Sequence, residues 1–133
     1  MKLEPYLHFS GNCEEALNAY AKALAGTFNI QMRYDAPEMD APESYKHKVL
    51  HANMTFGTNS LMASDFHPGY DAKHGNNTSL SIGMKGLEKG KSIFNELSAQ
   101  GQVDMPLEKQ FWGAWYGEFT DRFGIRWMFN IED

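Results

Sequence analysis

A single cysteine, Cys13, in a chain of 133 residues excludes an intrachain disulfide and fits a reducing compartment. No apolar run approaches the ~20 residues of a membrane span. The opening Met1-Lys2-Leu3-Glu4-Pro5 has no apolar signal-peptide core, so a cytoplasmic location with no membrane partner is expected. Basic charge is scarce as well: 12 Lys and Arg against 17 Asp and Glu leave a net charge of −5. A nucleic-acid partner normally requires a clustered basic surface that neutralises several phosphates. Here the cations are scattered, and Lys85, Lys89 and Lys91, with Glu88 among them, read as a solvated helix face. No nucleic-acid partner is expected, and small molecules fit this charge balance better.

What is abundant is aromatic area near the end of the chain, where Trp112, Trp115 and Trp127 are the only three tryptophans. Residues 111–130 read as two strands around a turn, and so much ring area in one hairpin is expected to be buried. Asp121 to Gly124 supplies the turn, because Gly124 takes positive φ cheaply and Asp121 can bond the backbone ahead of it. Beyond it Ile125, Trp127, Phe129 and Ile131 share one strand face, which reads as core, while Arg126, Met128 and Asn130 share the other.

The rest of the chain is a repeated pattern. Residues 6–9 form a short strand candidate, and Asn12 with Glu15 resembles a capping box that starts a helix. Cys13, Leu17, Tyr20 and Leu24 give that helix one apolar stripe, and Gly26 is placed to end it in a left-handed conformation. Strands are expected at 28–34, 47–56 and 60–65. In the second of these Leu50, Ala52, Met54 and Phe56 alternate with Val49, His51, Asn53 and Thr55, the period of a strand with two different faces. After a polar connection at 66–76 the order recurs: a strand at 78–84, a helix at 87–100 ending at Gly101, and strands at 103–109, 114–120 and 125–131. The pattern is strand, helix, three strands, written twice. Two such βαβββ modules, about 1–66 and 76–133, are expected to pair into one α+β domain over 1–133, with a curved eight-stranded sheet, helices on the convex side and the concave side free for a ligand.

That duplicated unit, with Gly11-Asn12-Cys13-Glu14-Glu15-Ala16, Leu61-Met62-Ala63-Ser64-Asp65, Gly75-Asn76-Asn77, Met105-Pro106-Leu107, Phe111-Trp112-Gly113 and the 120–128 segment, resembles the vicinal oxygen chelate superfamily. This superfamily includes glyoxalase I, bleomycin-binding proteins and extradiol dioxygenases. Within it the chain is most similar to the PhnB-like group, also labelled demethylubiquinone-methyltransferase-like. The resemblance implies a homodimer. It also implies a divalent metal held by His or Glu from the first, fourth, fifth and eighth strands, where it would stabilise an enolate or alkoxide. The matching positions here fall near Pro5, Met62 to Ser64, Asn77 and Met128, which are poor ligands for such a metal, so no metal cofactor is expected. A one-residue slip would bring Glu4 or Tyr6 into register but would turn the strand over. The methyltransferase label finds no Gly-rich turn of a parallel α/β sheet to support it.

The candidate ligand-binding set is His51, Asn53, Asn77, Ser79, Trp115, Arg126 and Met128, with His51 the candidate catalytic acid or base because imidazole titrates near neutrality. Against this, polar groups on a strand are commonly satisfied by each other or by water. His8 is expected to point toward the helix side as a structural histidine. His67, Asp71 and His74 share a loop but match no strong metal motif. Cys13 reads as packed and inert despite its place at a helix start. Trp112, Trp115 and Tyr116 fit a core, a dimer contact or an aromatic wall, and residues 35–43 a mobile cover, a dimer-exchanged arm or a plain loop. Three functional classes stand: a metal-free small-molecule-binding protein; a lyase, isomerase or dioxygenase-like enzyme with an atypical metal site or His51 as base; and an interaction protein whose cup is filled by Phe9, Met62, Met128 and the tryptophans.

Overall fold

A computed structural model describes residues 1–133, which divide into two compact units, Met1–Lys73 and His74–Asp133. Each unit is a four-stranded mixed sheet with one helix, and together they make an α+β fold. The first contains β1 (Tyr6–Phe9), α1 (Cys13–Leu24), β2 (Thr27–Arg33), β3 (Val49–Phe56) and β4 (Asn59–Asp65), in sheet order β1-β4-β3-β2. The second contains β5 (Leu80–Lys85), α2 (Leu87–Ser98), β6 (Gln102–Lys109), β7 (Trp115–Thr120) and β8 (Arg126–Glu132), in order β5-β8-β7-β6. In each, the first and last strands pair in parallel, β1 with β4 and β5 with β8, and the remaining pairs are antiparallel.

In the first unit α1 buries Cys13, Ala16, Leu17 and Tyr20 against the sheet. The sheet face beneath it carries Leu7, Ala63, Ala52 and Ile30, which are cross-strand neighbours in register. The expected capping box does not form, since Asn12 makes no side-chain cap bond. The buried Asp65 does that work from β4: its Oδ1 accepts from the Cys13 N–H at 2.9 Å and its Oδ2 from the Val49 N–H at 2.9 Å. One carboxylate therefore ties a helix start to two strands, with the negative charge at the favourable end of the helix dipole. The left-handed residue that ends α1 is Ala25 (φ 54°), not Gly26. Gly26 is required for space, because a Cβ there would lie 2.5 Å from the Thr55 carbonyl oxygen. Val49, expected on the polar face with His51, is fully buried; register shifts between β2 and β3 on either side of Met32 interrupt the alternation at that end of the strand.

The second unit is packed around rings. Phe94 of α2 meets Phe119 and Phe129 edge-on at 4.9 and 5.5 Å between centroids, and Trp127 stacks on Phe119. Gly90 lets α2 approach β8 closely, since a Cβ there would clash with Ile131. The turn at 121–124 forms as expected, with Gly124 at φ +92° and Asp121 buried. Asp121 does more than close the turn. Its Oδ1 accepts from the N–H groups of Phe123 and Ile125, and its Oδ2 from Trp127 Nε1, all at 2.9 Å. The expectation that all the terminal aromatics are buried fails at the β6–β7 loop, where Phe111 is 97% exposed and Trp112 50% exposed.

Candidate functional site

Each sheet has a face turned away from its helix, and strand alternation decides what lies there. In the first unit the register aligns Tyr6, Met62, Asn53 and Asn29 across β1, β4, β3 and β2 on that face. His51 lies there as expected, and its Nδ1 is 2.9 Å from the Tyr6 hydroxyl. The Tyr6 ring stacks on His8 at 4.9 Å between centroids, and His8 stacks on Phe66 at 5.0 Å. A continuous row of rings, His51–Tyr6–His8–Phe66, thus crosses the face. His8 was expected on the helix side; instead Leu7 and Phe9 occupy that side and His8 is exposed. The apolar pair Leu7 and Phe9 carried that signal in the sequence, as a strand buries its apolar parity. It also removes Phe9 from any filling of the polar face.

In the second unit Arg126 and Met128 share the face turned away from α2 with Tyr116, Glu118, Thr120 and Asn130. Arg126 Nε donates to Ser79 Oγ at 3.4 Å, and its Nη2 lies 3.7 Å from Glu118 Oε1. The Tyr116 hydroxyl donates to Glu118 Oε2 at 3.1 Å, and burial followed by that bond raises its pKa. Trp112 Nε1 reaches Asn130 Oδ1 at 3.2 Å. Glu118 was not among the sequence candidates, although the alternation of residues 115–120 places it with Tyr116 and Thr120. Asn77 is exposed in a bend before β5, outside the ladder. Trp115 needs correction: it pairs with Ile131 on the helix side, where Lys91 of α2 lies 4.7 Å over its ring, so it is not on the polar face.

The donor set does not fit the divalent metal typical of the superfamily. The positions expected to supply it are Pro5, Met62 to Ser64, Asn77 and Met128, and no group of three or more His, Cys, Asp or Glu side chains converges anywhere. The Pro5 carbonyl is taken by the Met62 N–H, and Glu4, the residue a slip would bring in, accepts from Ser60 Oγ at 2.8 Å. His67 packs edge-on against Tyr34, and the His74 ring lies against Gly124, so that loop does not assemble a metal centre either. Cys13 is buried, and burial first, then Asp65 and Glu14, pushes its thiol pKa far up, which disfavours the thiolate a nucleophile needs.

Residues 35–48 are pinned to the first unit through Tyr45, whose hydroxyl donates to the Phe66 carbonyl at 2.5 Å and whose ring meets Tyr34 edge-on. Burial, then Asp65, Tyr34 and Asp71, pushes the Tyr45 phenol up to about 12. A raised phenol pKa means that the fold favours the neutral form. The associated stability is therefore complete below the unfolded pKa of about 10 and is lost as pH rises toward the folded value. An alkaline titration followed by phenolate absorbance is expected to show a late step near pH 12 that disappears in Tyr45→Phe.

The family described as 3-demethylubiquinone-9 3-methyltransferase matches residues 1–129. The chain belongs to this family. Protein YjdN of Escherichia coli K12 is 30% identical, over 98% of this chain and 95% of its own length. The crystal structure of protein PA1353 from Pseudomonas aeruginosa is 39% identical and superposes with a TM-score of 0.87, covering 99% of this chain and 98% of that one. A PhnB protein from Bacillus cereus, described as a putative 3-demethylubiquinone-9 3-methyltransferase, has the same fold at 23% identity and TM-score 0.85, over 98% and 99% of the two chains. Glyoxalase and bleomycin-resistance domains share the fold at 12% identity, with TM-scores of 0.68 and 0.61. The fold is thus the one shared by a PhnB protein and by glyoxalase and bleomycin-resistance domains. Its methyltransferase description names a chemistry usually built on a parallel α/β sheet with a Gly-rich turn, whereas both sheets here are mixed.

Proposed function

We propose that this PhnB-like protein binds a small, partly apolar organic molecule on the polar sheet face of its first unit, without a resident metal ion. The observation that carries the reading is the ring row His51–Tyr6–His8–Phe66, which offers stacking area and imidazole and phenol hydrogen-bonding groups side by side. Asn53 adds an amide on the same face. In the second unit Arg126, held by Ser79 and Glu118 beside Met128, places a cation on that unit's own polar face.

The Tyr6 contact also favours a second reading, in which His51 is a general base. If Nδ1–H donates to the Tyr6 oxygen, Nε2 keeps a free lone pair, and the imidazolium formed on taking a proton is stabilised through Nδ1. A thermal-melt screen of aromatic small molecules separates the two. A ligand at a hundredfold over its Kd is expected to stabilise the protein by about 2.7 kcal/mol. The shift is expected to withstand chelator, to vanish in His51→Ala and to weaken in Tyr6→Phe. A shift that needs a divalent ion, or that survives His51→Ala, refutes the proposed site. Turnover of the bound molecule, abolished by His51→Ala and slowed by Tyr6→Phe, would establish the base reading.

A further inference from the structure

Phe66 ends the ring row, and beyond it lies a cleft of about 520 Å³ lined by Met39, Asp40, Pro42, Phe66, His67, Pro68 and Tyr70. Its walls are the 39–42 and 66–70 segments of the first unit; it shares Phe66 with the ring row on which the proposed function rests, but neither His51, Tyr6 nor His8 lines it. Two features set its chemistry. The lining combines aromatic rings, a thioether and prolines, with Tyr70 70% exposed and its ring available. The only carboxylate on the wall is Asp40, and no Lys or Arg lines it.

The surrounding charge has the same sign. Asp35, Glu38, Asp40 and Glu43 lie within nine residues of chain, and the flanking cations are engaged, Lys46 by Glu43 at 2.7 Å and Arg33 by Glu14 at 2.9 Å. Tyr45, bonded to the Phe66 carbonyl, has its phenol ionisation delayed mainly by burial and further by Asp65, Tyr34 and Asp71. Phe66 itself is held in place, with His8 stacked on it, its N–H bonded to the Phe9 carbonyl and its own carbonyl bonded to Tyr45.

From these observations we infer that the cleft between the 39–42 and 66–70 segments is a binding site for an organic cation, a substituted ammonium group set against the Phe66 and Tyr70 rings with Asp40 as counter-ion. Ring faces attract cations through their quadrupoles, and the attraction grows as the cation is desolvated. Methylated ammonium groups lose less hydration than a bare ammonium and suit an apolar wall of Met39, Pro42 and Pro68.

The test uses the whole chain and three soluble probes: benzyltrimethylammonium, neutral benzyl alcohol and anionic benzenesulfonate. Binding is followed by amide chemical shifts at a fixed, slightly alkaline pH. The cation is expected to shift residues 39–42 and 66–70, and to bind at least about tenfold more tightly than either other probe. Tyr70→Ala and Asp40→Asn, both at exposed positions, are each expected to weaken the cation about three- to tenfold without changing the melting temperature. His51→Ala is expected to leave the cation's affinity unchanged, which keeps this result distinct from the proposed function. Equal binding of the neutral probe, preference for the sulfonate, or full affinity in both Tyr70→Ala and Asp40→Asn would overturn the assignment.

Discussion

Asp121→Ala is expected to destabilise the second unit by about 3–5 kcal/mol, because three donors that now share one buried carboxylate would lose their acceptor together. The donors are the N–H groups of Phe123 and Ile125 and the indole N–H of Trp127. The first two close the turn between β7 and β8. The third fixes the orientation of Trp127, which is 1% exposed and packed against Phe119. At that depth the loss of an acceptor for the indole N–H is costly, so the effect exceeds that of an ordinary turn substitution. Chemical denaturation should show a lower midpoint, with the melting temperature down by roughly 10–20 °C. Asp121→Asn is expected to fall between the two, since an amide oxygen can serve one side while its NH2 opposes the donors on the other. A loss under about 1 kcal/mol for Asp121→Ala would show that this carboxylate is not what holds the turn and Trp127 together.

Asp65 holds the equivalent post in the first unit, and its substitution tests a different kind of linkage. Asp65→Asn can keep one acceptor, but its NH2 must then face the N–H of either Cys13 or Val49, both of which are buried. A loss of about 2–4 kcal/mol is expected. The effect should be local in hydrogen exchange, with faster exchange at Cys13, at Val49 and through the first turn of α1. A second readout is chemical. Removing the Asp65 charge takes away the second-largest cause of the raised Cys13 pKa and leaves burial, the largest. The thiol should therefore react with a disulfide reagent at somewhat lower pH, yet remain less reactive than a free cysteine. Unchanged exchange at α1 would show that the helix start is held by its own sequence and not by β4.

Much of the secondary structure was legible because each element carries its own local signal. The strict alternation of residues 50–56 identified β3 and put His51 and Asn53 on its polar face, and the same rule placed Arg126 and Met128 opposite Trp127 and Phe129. The turn at Asp121 was readable because an Asx side chain bonds backbone only a few residues ahead. The misreadings have other causes. Asn12 looked like the cap of α1, but the acceptor came from Asp65, 52 positions beyond Cys13. His8 was assigned to the wrong face although Leu7 and Phe9 marked the buried parity of that four-residue strand. Trp115 was counted in the binding set as one reading of its ring, whereas its strand position puts it under α2.

The sequence by itself determined the two βαβββ units, their element order, the apolar stripes of both helices and the family, because backbone geometry imposes periods that can be read within a window of a few residues. Only the tertiary structure decided which polar groups meet. The pairing of Tyr6 with His51 spans 45 positions, and the stacking of His8 on Phe66 depends on β1 lying parallel beside β4. The junction of Arg126, Glu118 and Ser79 and the cleft between residues 39–42 and 66–70 likewise require distant segments to be neighbours. Contacts of that kind depend on strand order and register, which are settled by packing of the whole sheet and leave no mark in any short stretch of chain.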